Sequence, residues 1–160
     1  MNRQEILKEL RKYFVAQEFV GPVTFKKHGQ TSFQFMSTDL LETILFIRKG
    51  IDKPFYANDW HIGGIYDERG FRSNMSDIVF AKTEKHIEYL SGHVLGMALD
   101  FKVKGMRSDD VRKWIIDHAD ELPCKVRLEN IILSTGKTIT WVHLDVKWIE
   151  SNPKVYLFNV

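Results

Sequence analysis

The chain reads as a mixed fold of helices and strands, and three observations predict it. Apolar residues recur at helical spacing near the amino terminus and again over residues 39–50. Two segments in the second half, MALDFKV (97–103) and TWVHLDVKW (140–148), alternate apolar and polar side chains. A third, KVRLENIIL (125–133), runs into the last of these through a turn-forming stretch, which is a hairpin signal. At 160 residues the chain is long enough for one domain with a real core, expected over 1–160.

In the first fifteen or so residues, Ile6, Leu7, Leu10, Tyr13 and Phe14 share one helical face, so an amphipathic packing helix is expected there. For the next helix Asp39 can serve as the cap, with Glu42 three residues on. Leu40, Leu41, Ile44, Leu45 and Ile47 supply its core face, and Gly50 stops it. From about Pro54 to Glu84 there is no sustained periodicity, which predicts a long irregular segment of the kind that often carries function. A further helix begins at Ser108, whose hydroxyl can cap it. Asp109 and Asp110 complement its dipole, Val111, Trp114, Ile115 and His118 share a face, and Pro123 follows its end.

The strands carry the chemistry. Met97, Leu99, Phe101 and Val103 alternate with Asp100 on the opposite side, while Val142, Leu144 and Val146 point inward and leave Trp141, His143 and Asp145 facing out. Asp100 and His143 can therefore share one cleft. A three-residue hairpin loop, Thr135 to Lys137, pairs Val126 with Val146 and Leu128 with Leu144. That register sets Glu129 across from His143, where opposed Cβ atoms are roughly 4.5–5.5 Å apart.

Composition excludes more than it names. A net charge of +2, from 23 Lys and Arg among 21 Asp and Glu, provides no single-sign field for nucleic acid. Cys124 is the only cysteine, so an internal disulfide and a multi-thiolate metal site are ruled out, and the residue reads as a small buried hydrophobe. MNRQEILKELRKYF has no apolar core of a secretory signal, and no segment approaches the ~20 apolar residues of a membrane span. Synthesis in the cytoplasm is expected, and if the protein works outside, something else must release it.

Two neutral imidazoles and a carboxylate hold a divalent metal with one position open, where a water is polarised near neutral pH. His93, Asp100 and His143 have these types. His93 precedes a glycine-containing turn and Asp100 stands on the strand after it, so both can converge from rigid backbone. Iron oxygenase triads normally separate their first His from the carboxylate by one residue rather than six, which favours zinc. Singly, each residue also has an ordinary structural reading as a hydrogen-bonded polar group.

Ser91, His93, Gly96, Ala98 and Asp100 match S-x-H-x-x-G-x-A-x-D, and Trp141 with His143 match a later W-x-H. Together they resemble the zinc site of the D-alanyl-D-alanine carboxypeptidase family of metallopeptidases, which includes phage endolysins and has the Hedgehog signalling domain as a structural relative. The resemblance covers roughly Lys53 to Val146. It implies an α+β fold, a small antiparallel sheet packed against helices, with Zn2+ on His93, Asp100 and His143 and a peptidase acting on peptidoglycan stem peptides. The family's S-G-Y-R segment is matched in part by Gly70, Phe71 and Arg72, so Arg72 is expected either to contact a substrate carboxylate or oxyanion or to form an ion pair with Asp67 or another acid.

The family also places an acid three residues before its second histidine, and here that residue is Thr140, which cannot act as a general base. Glu129 is the expected replacement through the hairpin register, with Asp145 as second choice or as a group that orients His143. Trp60 and Trp141 can stack on substrate or belong to the core. His61 can line the cleft or bond backbone, whereas His86 and His118 read as surface or core-edge residues. Two functions remain open: a zinc peptidase cutting stem peptides as carboxypeptidase or lysin endopeptidase, and a zinc-holding module without turnover, such as a virion component among other virion proteins. A metal-free globular protein is the third reading.

Overall fold

A computed structural model describes residues 1–130, 132, 136, 138–150 and 153–159. The helices are α1 (Arg3–Leu10), α2 (Pro22–His28), α3 (Thr38–Ile51), α4 (Asp77–Glu84) and α5 (Ser108–Asp117). The strands are β1 (Phe55–Tyr56), β2 (Ala98–Val103), β3 (Val126–Glu129), β4 (Val142–Asp145) and β5 (Val155–Phe158). They form one five-stranded sheet in the order β1-β2-β4-β3-β5. The fold is thus mixed α+β, a sheet packed against helices. All neighbours are antiparallel except β3 and β5, which run parallel, so the sheet is not wholly antiparallel as expected.

Period-two burial builds the sheet as expected. Leu99, Phe101, Val103, Val126, Leu128, Val142 and Leu144 are all buried in one core with Ile6, Leu10, Leu40, Ile44 and Ile47 from α1 and α3, and Val111 and Ile115 from α5. Register also follows the apolar pairing, with Leu128 opposite Leu144 and Arg127 opposite Asp145. Beyond Glu129 the two chains shift, because Ile132 bridges Thr138 and not residue 140. Of the expected loop, Thr135 and Lys137 lie outside the described residues.

Several boundaries differ from the sequence reading. The first helix ends at Leu10, where the Lys12 and Tyr13 amides bond back three residues to Glu9 and Leu10 and turn Phe14 into the core. Ser37, not Asp39, caps α3 by accepting the Leu40 amide, and Gly50 lies inside the helix, where its missing side chain leaves room for the Trp114 ring. Ser108 does not cap α5; its hydroxyl faces the Ile139 carbonyl at 3.4 Å. The stretch from Pro54 to Glu84 contains β1 and α4 in place of continuous loop. No residue of α4 is buried, so it has no apolar stripe to read. Its start is organised by the Glu68 carboxylate, which accepts the Ser76 hydroxyl and the Ile78 amide.

Cys124 is half-buried beside the Thr43 hydroxyl, and burial pushes its thiol up, which suits a hydrophobe better than a nucleophile. Among the described residues no helix is long and apolar enough to cross a membrane.

The turn between His93 and β2 depends on Gly96. Its φ is +66°, and a Cβ there would stand 1.8 Å from the Phe35 carbonyl oxygen. Replacing Gly96 with Ala is expected to destabilise the fold by roughly 2–4 kcal/mol, the sum of left-handed strain and a forced backbone shift. Urea unfolding checks this, with a lowered midpoint at unchanged slope as the expected result.

Candidate metal centre

The polar face of the sheet is where the expected ligands meet. Asp100 on β2 and His143 on β4 are directly opposed across the antiparallel pair. His93 approaches from the turn before β2, a turn closed by the Met97 amide on the Gly92 carbonyl at 2.7 Å. Gly92 permits this approach, since a Cβ there would fall 2.9 Å from that of Ala98. One ligand atom from each of His93, Asp100 and His143 lies within 4.8 Å of the others, and this cluster can hold a metal ion.

Each imidazole has its second nitrogen occupied by an oxygen. His93 Nδ1–H donates to the Gly70 carbonyl at 2.8 Å, which turns Nε2 toward the cluster. His143 Nε2–H donates to Asp145 Oδ2 at 3.2 Å, which turns Nδ1 the same way. His93 Nε2 lies 3.3 Å from His143 Nδ1 and 3.4 Å from Asp100 Oδ2, and His143 Nδ1 lies 2.6 Å from Asp100 Oδ1. Ligand atoms about 2.1 Å from a tetrahedral cation stand about 3.4 Å apart. The two separations from His93 match, while His143 meets the other Asp100 oxygen, Oδ1, in a hydrogen bond whose proton a cation would replace.

Electrostatics fit that exchange. Burial alone would lower the His143 pKa, but the hydrogen bonds to Asp100 and Asp145 outweigh it and raise it to about 9. For Asp100, burial works to raise the pKa and is overcome by hydrogen bonds from His143 and His93, which hold the carboxyl well below the usual range. Asp145 is likewise opposed by burial and brought down to about 2 by His143 and by Arg127, whose Nε and Nη2 fork onto its two oxygens at 2.7 Å. So ionised a carboxylate is a poor proton acceptor, and Asp145 stands as the group that orients His143.

Glu129 is different. It is only 7% exposed, and no hydrogen bond to its carboxyl occurs among the described residues. Burial pushes its pKa up, His143 pulls it down and Asp100 adds to the rise, so the group lies within electrostatic reach of both ligands. Its backbone is pinned from α5: buried Arg112 donates to the carbonyls of Glu129 at 2.9 Å and Trp141 at 2.7 Å.

Arg72 also reaches the cluster. Its Nη2 is 3.6 Å from Asp100 Oδ2, its Nε donates to the Glu68 carbonyl at 2.7 Å, and its Nη1 donates to the Tyr89 hydroxyl at 2.9 Å. The acid beside it is Asp100, not Asp67. Trp141 is half-buried immediately before the strand that carries His143, and Thr140 is exposed. Trp60 donates its indole N–H to the Val20 carbonyl and packs near Phe25, a structural placement. His118 stacks on Trp114 and bonds its carbonyl, whereas His61 and His86 make no contact with the cluster.

Sequence reasoning missed Arg127, Tyr89 and Arg112, and it named Gly70 only as part of the S-G-Y-R match, not as the partner of His93. The hairpin register held the signal for Arg127, because it places that residue opposite Asp145. The segment match pointed at Gly70 but not at its contact with His93, which is made by a backbone carbonyl.

No family model, curated protein or solved structure matches the chain.

The metal-free cluster has a distinct pH dependence. His143, raised from 6.5 to about 9, contributes stability that is fully present below pH 6.5 and lost as pH climbs through 9. The lowered aspartates contribute stability present above about pH 4 and lost on acidification. Chelator-treated protein is therefore expected to lose on the order of 3 kcal/mol between pH 6.5 and 9.5. Thermal unfolding across that window checks this, with His143→Gln flattening the profile.

Proposed function

We propose that the chain is a zinc-dependent peptidase. The observation that carries the reading is the convergence of His93 Nε2, Asp100 and His143 Nδ1, with each remaining imidazole nitrogen held by an oxygen, beside a buried carboxyl on the neighbouring strand. Zinc held by these three residues would supply a Lewis acid that polarises a carbonyl and acidifies water.

The chain's own residues do the rest. With a cation in place of the His143 Nδ1 proton, Gly70 and Asp145 would keep both imidazoles in the tautomer that presents a lone pair. Glu129, whose proton affinity is raised by burial, takes a proton from the attacking water and returns it to the leaving nitrogen, the role that Thr140 cannot fill. At 3.6 Å the Arg72 Nη2 edge is too far from Asp100 for a full hydrogen bond and is left to contact the substrate's carboxylate or carbonyl oxygen. Trp141 offers an aromatic surface immediately before the strand that carries His143.

The substrate class, peptidoglycan stem peptides, rests on the resemblance of S-x-H-x-x-G-x-A-x-D and W-x-H to the carboxypeptidase and endolysin family. Thr140 favours a second reading, a zinc-holding module without turnover, such as a virion component.

Zinc stoichiometry and muropeptide hydrolysis by wild type and Glu129→Gln separate the two. The peptidase reading expects about one zinc per chain in both proteins, with hydrolysis reduced roughly 10²–10⁴-fold in the variant. Bound zinc with no cleavage of any stem peptide by wild type would overturn it in favour of the module. His143→Ala is expected to lose the zinc.

A further inference from the structure

His143 is enclosed on its far side by a circuit of side chains from three strands. Asp145 on β4 takes its Nε2–H, and Arg127 on β3 forks onto Asp145. The same guanidinium lies 4.6 Å above the ring of Phe158 on β5. Phe158 closes the circuit, meeting the His143 ring edge to face with centroids 5.8 Å apart at 79°.

β5 is one of the two edge strands of the sheet. A parallel ladder holds it to β3, with Phe158 opposite Glu129, and the Asn130 amide donates to the Phe158 carbonyl at 2.8 Å. None of its residues is buried, so the strand contributes little to the core. What it brings to the site is Phe158.

A ligating imidazole must keep its ring plane, because the terminal torsion of histidine is broad and only weakly held by itself. Asp145 holds Nε2 of the His143 ring and Asp100 holds Nδ1. Once a cation takes the place of the Nδ1 proton, Asp145 is the hydrogen bond that remains on the ring, and by itself it leaves rotation about that contact. The Phe158 ring, packed edge to face with the imidazole, opposes that turning, while Arg127 touches both Phe158 and Asp145.

We propose that Phe158 and Arg127 are positioning residues for the metal centre, so that docking of β5 and metal loading are coupled. This rests on reading His93, Asp100 and His143 as metal ligands. Coupling is reciprocal: if docked β5 tightens metal binding, bound metal must hold β5 docked by the same factor.

The test is Zn2+ affinity, read by competition with a chromophoric chelator, for the full chain, Phe158→Ala and Phe158→Tyr. It is joined by the visible spectrum of the Co2+ forms and by hydrogen exchange over Val155–Phe158 of the wild type with and without Zn2+. Phe158→Ala is expected to bind zinc about 10–100-fold more weakly, the usual cost of removing an outer partner of a metal ligand. Its Co2+ spectrum should shift, Phe158→Tyr should stay close to wild type, and Zn2+ should slow exchange across β5. A merely structural Phe158 would change stability but neither the spectrum nor the zinc-dependent protection.

If wild type binds zinc while Phe158→Ala binds it equally well, or while β5 exchange ignores zinc, the coupling is wrong and the metal centre stands. If wild type binds no zinc, both fall. Should Phe158→Ala fail to fold, the exchange measurement on wild type decides alone.

Discussion

Two antiparallel strands, each burying one face in the same core, force Asp100 and His143 together. The pleat turns successive side chains to opposite sides, so once Leu99 and Phe101 on β2 and Val142 and Leu144 on β4 are committed inward, the aspartate and the histidine stand opposed on the other face. Their 2.6 Å contact depends on this alternation, and a slip of one residue would send both polar groups into the core. His93 joins them because a tight turn delivers it to the start of β2, a turn that two close-packed glycines permit.

Burying so many charges is costly unless they are matched. Around this face Asp100 and Asp145 are offset by His143, Arg127 and Arg72, and most of their polar atoms have partners in good geometry. Such a network contributes little net stability compared with apolar packing, but it restricts how each group can point. Glu129 is the exception, buried among charged neighbours without a hydrogen bond of its own among the described residues. An unmatched group inside a matched network is where proton chemistry is most readily placed.

What could be read from the sequence was what periodicity controls. The inward residues of β2 and β4, the core face of α3, the pairing of Leu128 with Leu144 and the opposition of Asp100 and His143 follow from spacing, and the motif resemblance added His93 to that pair. Contacts made by backbone atoms or by elements without a buried stripe left no such trace. The Gly70 carbonyl that turns His93 has no side chain to mark it. α4 and β5 have no fully buried residue, and VYLF in β5 is apolar throughout without alternation, so neither marks one face, and with β5 the placement of Phe158 was out of reach. The capping of α3 failed for a smaller reason, since Ser37 and Asp39 are both competent caps and only the path of the preceding chain selects between them.

The segment from Ser73 to Leu90 contains no buried residue, and it is moored to the body by Glu68 at one end and by Arg72 and Lys147 at the other. Detaching it would uncover almost no apolar surface and would break only a handful of solvent-accessible bonds, which puts it at the low end of the molecule's range of local opening energies. The ligand-bearing sheet sits at the high end, locked by the core. Insertions, nicks or sequence drift in that stretch can therefore reshape the approach to the centre while the coordinating atoms keep their places.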